Sequence, residues 1–253
     1  MPNFSLNEFK DISEEKANTI VSSPYEYELV KDHFINLNEN NIYKAGLPRY
    51  DRFQNLIKNK TEKDCILISF TYRHYYKYVF EKSLYKINTL KLLNDNSLIT
   101  FLKEKNIDLI FIQHHQELYL KKKYHENSFL YAKYKSPKYL SHYIEQCSLL
   151  VTDFSSISFD FMFQNKIALF YLIDYNDTRN FTEKKLMQKF PNKSFVKENT
   201  FYEQSLLINK IKYYVNNHFN IEDELKEKYE SIFYYKKNIT ERIVDIINQI
   251  IEK

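Results

Sequence analysis

Glycine is almost missing from this chain of 253 residues; Gly46 is the only one. That excludes the glycine-rich phosphate cradles, both the dinucleotide-binding G-x-G-x-x-G turn and the P-loop. Any phosphate site must therefore be built without glycine. Tryptophan is absent, although Tyr and Phe bring the aromatic share to 17%. The two cysteines, Cys65 and Cys147, each adjoin an expected buried strand. Two isolated cysteines give no disulfide framework and point to a reducing compartment. No apolar run approaches the ~18 residues that span a bilayer, and no secretory leader pattern opens the sequence. A cytoplasmic location is the expectation. Charge of one sign is not in large excess, the formal net charge being +4. That balance suits an anionic substrate or a membrane surface and gives little support to nucleic acid as a partner. Repeats and low-complexity segments are also lacking.

What is present is a globular composition, 43% hydrophobic and 28% charged, which excludes a disordered chain. The length is enough for a large core in one or two domains. The most informative stretch is Leu149 to Tyr171, LLVTDFSSISFDFMFQNKIALFY. It predicts a strand over Leu149–Val151, a turn, a buried helix over Ser156–Asn165 and a second strand over Ile167–Tyr171. Strands so apolar imply a parallel sheet covered on both faces. Ser155 and Ser156 would sit where free N–H groups and the positive end of a helix dipole collect an anion. Asp160 is four residues beyond Ser156, on the same helix face. A carboxylate in so apolar a helix needs a partner, and a ligand hydroxyl is one. Asp153, Ser155 and Ser156 are also ordinary N-cap residues, and a cap alone would account for them.

Elsewhere, Thr19–Ser22 and Asn41–Ala45 read as short strands. Ser23-Pro24-Tyr25-Glu26 reads as a capping box opening a helix to about Phe34. Gly46 follows the second strand, which fits a position needing positive φ or close backbone approach; a plain strand-to-helix turn would also account for it. Asp64–Phe70 predicts a buried strand that ends in Thr71-Tyr72-Arg73. Ligands of open α/β sheets gather at such carboxyl ends, and Arg73 offers paired donors to phosphate; it could equally be a surface charge. Ser83–Lys105 is helical in pattern and broken near Asn94-Asp95-Asn96. Ile107–Ile112 predicts the next strand, ending in Gln113-His114-His115. No carboxylate or cysteine stands at metal-ligand spacing from these histidines, so no metal is assigned. Leu118–Tyr124 continues as a helix or a basic loop. Phe129–Tyr134 reads as a strand, and Ser136-Pro137 opens a helix to about Gln146. Asp174–Lys193 is a polar loop, and helices are expected over Thr200–Val215, Ile221–Phe233 and Lys237–Ile251.

T-D-F-S-S-I-S-F-D-F followed by an apolar strand resembles the signature of the CDP-glycerol glycerophosphotransferases, the teichoic acid and capsule polymerases. V-S-S-P-Y-E, G-L-P-R-Y-D and T-Y-R also resemble segments of that family, although Phe70 stands where its P-T-W-R turn has proline. The resemblance spans about Ile20 to Ile247. It implies the second half of a GT-B fold, a Rossmann-like, mainly parallel sheet with helices on both faces. By this reading residues 1–60 are a remnant of the first GT-B domain with a linker. Residues 61–235 form the nucleotide-donor domain, and residues 236–253 are a helix packing back on the first segment.

The resemblance implies a CDP-glycerol or similar CDP-polyol donor, a polyol-phosphate or capsular polymer as acceptor, and no cofactor. Thr71, Arg73, Asp153, Ser155 and Ser156 would surround the donor, with Asp160 on the ribose. His115 matches the family's essential histidine, with His114 a second candidate. A cationic histidine there would stabilise charge on the departing nucleotide phosphate, or donate a proton to it. The family's W-H-G-T-P-L-K stretch, whose histidine activates the acceptor and could be replaced by His114 or His74, has no match here. A separate acceptor-domain chain is therefore a candidate partner, and peripheral contact with the inner face of the membrane is compatible with the charge. Two other readings stay open: a GT-B glycosyltransferase using a nucleotide sugar, and a non-catalytic nucleotide-binding remnant.

Overall fold

Short apolar runs ending in turn residues become parallel strands when helices carry the chain back to the same edge of the sheet. The computed structural model describes residues 18–33, 38–54, 64–73, 80–119, 124, 129–175 and 197–252. They fall into two compact units, Met1–Ile57 with Asp223–Lys253, and Lys58–Glu222. In the first unit β1 (Thr19–Val21) pairs in parallel with β2 (Ile42–Lys44). Between them lies α1 (Pro24–His33), and α2 (Arg49–Gln54) follows. The capping box forms with a change of partner. Ser23 Oγ accepts from the Glu26 N–H at 3.0 Å. The Glu26 carboxylate reaches one residue further back, to the N–H and the hydroxyl of Ser22, at 2.7 Å each.

The second unit holds a six-stranded sheet in which every neighbouring pair is parallel. Its strands are β3 (Cys65–Ile68), β4 (Asp108–Ile112), β5 (Lys133–Lys135), β6 (Leu149–Thr152), β7 (Ile167–Tyr171) and β8 (Thr200–Phe201). The spatial order β5-β4-β3-β6-β7-β8 is the doubly wound order 3-2-1-4-5-6, counted within the unit. The order reverses between β3 and β6. Central strands such as CILI and IALFY are buried at every residue, as strands covered on both faces must be. The edges are short and, at β5, lysine-rich, which discourages edge-to-edge pairing.

Helices cover both sides of the sheet: α3 (Leu84–Leu93), α4 (Asn96–Glu104), α5 (His115–Tyr119), α6 (Leu140–Gln146), α7 (Ile157–Phe163) and α8 (Gln204–Asn216). The expected break falls at Asn94, and Asp95 caps α4 by accepting from the Leu98 N–H at 3.0 Å. Two expectations shift. The strand expected over Phe129–Tyr134 starts only at Lys133 and runs to Lys135. Phe129 and Tyr131 pack on the core, but the Leu130 N–H goes to the Asn94 side chain at 2.9 Å. Thr200–Phe201 is a strand rather than the start of α8, and the Phe201 carbonyl accepts from the Leu172 N–H at 2.9 Å. Two residues are too few to show a period in sequence. Cys65 and Cys147, distant in sequence, are both buried, with their sulfurs 2.6 Å apart and no disulfide between them.

The chain returns to the first unit through α9 (Asp223–Ile232) and α10 (Ile239–Ile251). Gly46 does not have positive φ, so close approach is what requires it. A Cβ there would lie 3.1 Å from Ile239 Cδ1 and Cγ2. The Asp51 carboxylate accepts from the Ile239 N–H at 3.0 Å and the Thr240 N–H at 2.6 Å. It caps a helix whose own N-cap residue, Asn238, is left-handed and offers no side-chain bond.

Candidate functional site

Four strands deliver polar residues to one edge of the sheet. Beyond β3 come Thr71 and Arg73, beyond β4 Gln113 and His114, beyond β6 Asp153 to Ser156, and beyond β7 Asp174. With all strands parallel, these are all carboxyl ends. The turns after β3 and β6 flank the point where the strand order reverses, which is where doubly wound sheets bind ligands.

Asp153 joins those two turns. Its buried carboxylate accepts from the Thr71 N–H at 3.0 and 3.1 Å, from the Thr71 hydroxyl at 2.8 Å and from Arg73 Nη1 at 2.7 Å. Thr152 adds a second tie, its hydroxyl donating to the Ser69 carbonyl at 2.6 Å. Arg73 also donates from Nε and Nη2 to the two Asp174 oxygens, at 2.9 and 2.8 Å, and from Nη1 to the Thr71 carbonyl at 2.9 Å. The rings of Tyr85 and Phe154 lie 4.9 and 4.7 Å from its guanidinium carbon.

Arg73 is 1% exposed, where the expectation puts it on phosphate. A guanidinium removed from water needs charge partners of its own, and Arg73 has two carboxylates. Thr71 and Asp153 likewise bond to each other, so the three residues form one connected network between the two turns. Asp174 opens the stretch expected as a polar loop of the kind that carries substrate contacts. The signal in the sequence is its place: like Asp153, it closely follows a largely apolar strand.

Ser155 and Ser156 stand differently. Ser156 is exposed and its hydroxyl makes no cap bond. Ser155 is half-buried, and its carbonyl takes the Ser158 N–H at 3.1 Å and the Ser158 hydroxyl at 2.8 Å. Asp160 is buried one turn into α7.

At the neighbouring exit His114 is half-buried, with its ring against Tyr72 (centroids 5.9 Å apart) and His115 (4.4 Å). Its Nδ1 accepts from the Gln116 N–H at 3.3 Å, which assigns the proton to Nε2. Burial first, then the adjacent His115 ring, lower its pKa to about 4, against the pull of Asp153. His114 is thus neutral at pH 7, where the expectation has a cation. His115 is exposed at the start of α5. Glu117, which the sequence reading passed over, is 1% exposed; after burial, its charge is what raises the Tyr72 pKa. His74 lies outside the described residues. Among the described residues no three His, Cys, Asp or Glu side chains group as a metal site, and no helix is long and apolar enough to cross a membrane.

Fold and site together define a doubly wound α/β unit with a serine turn where its strand order reverses. The model of the CDP-Glycerol:Poly(glycerophosphate) glycerophosphotransferase family matches residues 3–249, and the chain belongs to that family. The minor teichoic acid biosynthesis protein GgaB of Bacillus subtilis (strain 168) is 27% identical over 243 residues, which cover 90% of this chain and 26% of GgaB. Among solved structures, the wall teichoic acid polymerase TagF aligns with a TM-score of 0.64 at 17% identity, over 100% of this chain and 63% of that one. S. aureus MnaA with UDP aligns with a TM-score of 0.50 at 11% identity, over 89% and 59%. These likenesses concern the fold. The chain spans about a quarter of GgaB and less than two thirds of TagF.

Proposed function

We propose that this chain is the donor-binding half of an enzyme moving glycerol phosphate, or a related polyol phosphate, from a CDP-activated donor to a growing teichoic acid or capsular polymer. The observation that carries the reading is the Ser155–Ser156 turn, ligand-ready where the strand order reverses, in a chain of this family. Ser155 and Ser156 hold the diphosphate and Asp160 meets the ribose. Thr71, Arg73 and Asp153 keep the turns in place from beneath. The acceptor hydroxyl, giving its proton to a base on the acceptor wall, attacks the β-phosphorus, the bond to the bridging oxygen breaks, and CMP departs carrying that oxygen. Positioning and charge stabilisation supply the rate, as in other phosphoryl transfers. His114 meets the departing phosphate as a neutral Nε2–H donor, or His115 meets it from the helix start. The acceptor wall is supplied by further sequence or a separate chain, and the acceptor polymer brings the enzyme to the membrane surface.

Calorimetry with CDP, CDP-glycerol, CDP-ribitol and a UDP-sugar tests this. Cytidine compounds should bind and the UDP-sugar should not. Removing one hydroxyl bond to a charged phosphate costs about 1.5–3 kcal/mol, so Ser156→Ala should weaken CDP by about tenfold or more. Preference for the UDP-sugar would replace the reading with a glycosyltransferase. Binding of neither would remove the donor site.

A further inference from the structure

Asp174, Arg73 and Asp153 come from the exits of β7, β3 and β6, which are neighbours in the sheet. Sequence separations of 101 and 80 residues are closed by bonds of 2.7–2.9 Å. Arg73 holds both residues that precede the serines: Asp153 through Nη1, and Phe154 through its ring. The paired bonds from Nε and Nη2 to Asp174 fix the plane of the guanidinium. A fixed plane fixes the direction of Nη1, and so the position of the Asp153 carboxylate. We propose that Asp174 is a positioning residue for the Ser155–Ser156 turn, acting through Arg73 on Asp153.

Stability alone does not explain the arrangement. A buried ion pair is a weak source of stability, and apolar side chains of the same volume usually do as well. One cation held between two carboxylates, across the point where the strand order reverses, instead sets the separation of two turns. Its functional part rests on the donor reading above; its structural part does not.

The test uses the whole chain and reads backbone amide exchange across residues 154–158 together with the dissociation constant for CDP. Asp174→Asn keeps the shape and removes the charge. It should speed exchange in the turn by about tenfold or more while β3 and β6 stay protected, and weaken CDP by about tenfold to a hundredfold. Leu102→Ala, in the core of α4, is the control: it should lower the melting temperature and change neither readout. Arg73→Lys cannot engage both carboxylates, and should act like Asp174→Asn with no further loss in the double variant. If Asp174→Asn cannot be recovered folded, Thr71→Val removes one hydroxyl bond to Asp153 and carries the same readouts. Unchanged turn exchange in a folded variant, or a Leu102→Ala control that moves it equally, overturns the proposal. Should the wild type fail to bind CDP, the donor reading falls, and the exchange data still decide whether the clamp positions the turn.

Discussion

His114 takes its chemistry from its surroundings. An exposed histidine titrates near 6.5, but burial beside His115 holds this one near 4. The folded-state pKa lies below the unfolded value, and the group is a base. Between pH 6.5 and 4 the unfolded chain therefore binds the proton that the folded chain refuses, and stability falls as pH falls through that window. Urea midpoints measured at pH 7.0, 5.5 and 4.5 (steps chosen to span that window) should drop more for the wild type than for His114→Gln. Equal drops would show that His114 does not titrate in this way. The two serines of the turn were legible in sequence, because the strand, the turn and the helix that place them lie within a few residues. The role of Arg73 was not, because its charge partners are 80 and 101 residues away.

At the scale of elements, α10 depends on residues far from it in sequence. Asp51 caps it from 188 residues away. Burial pushes the Asp51 pKa up, but the Thr240 and Ile239 N–H bonds outweigh that and leave it below the usual carboxylate value. Stability from this cap is present above the ordinary carboxylate pKa and is lost as pH falls through the lowered one. Asp51→Ala should cost about 1 kcal/mol in denaturant unfolding at pH 7, and clearly less at pH 3. Gly46 acts on the same helix start. Ile239 is fully buried, so a methyl group at position 46 has little room. Gly46→Ala should cost about 1 kcal/mol or more. Adding Ile239→Val should recover part of that loss, a non-additivity that a double-mutant cycle reads directly. Additive losses would show that the contact is not what requires glycine.

At the scale of the molecule, the sheet gathers its polar turns at one edge, and α10 carries its apolar residues partly outward. Val244, Ile247 and Ile251 are 49%, 45% and 76% exposed on one helix. Exposed apolar surface of this kind promotes association. Changing all three to serine should raise the concentration at which the chain precipitates, with only a small change in melting temperature, because little buried surface is lost. A large fall in melting temperature would mean that the stripe is structural instead.

The parallel sheet, the helix break at Asn94 and the serine turn were determined by the sequence itself. Each follows from a local pattern: a fully apolar run, a capping residue, a turn between strand and helix. Tertiary structure alone decided the rest. Arg73 became a buried brace, His114 a neutral ring and Gly46 a point of contact with Ile239, while Thr200–Phe201 became an edge strand. Each outcome depends on partners brought together by the sheet or by helix packing. A side chain's charge state and freedom follow from what surrounds it, and no local pattern records those neighbours.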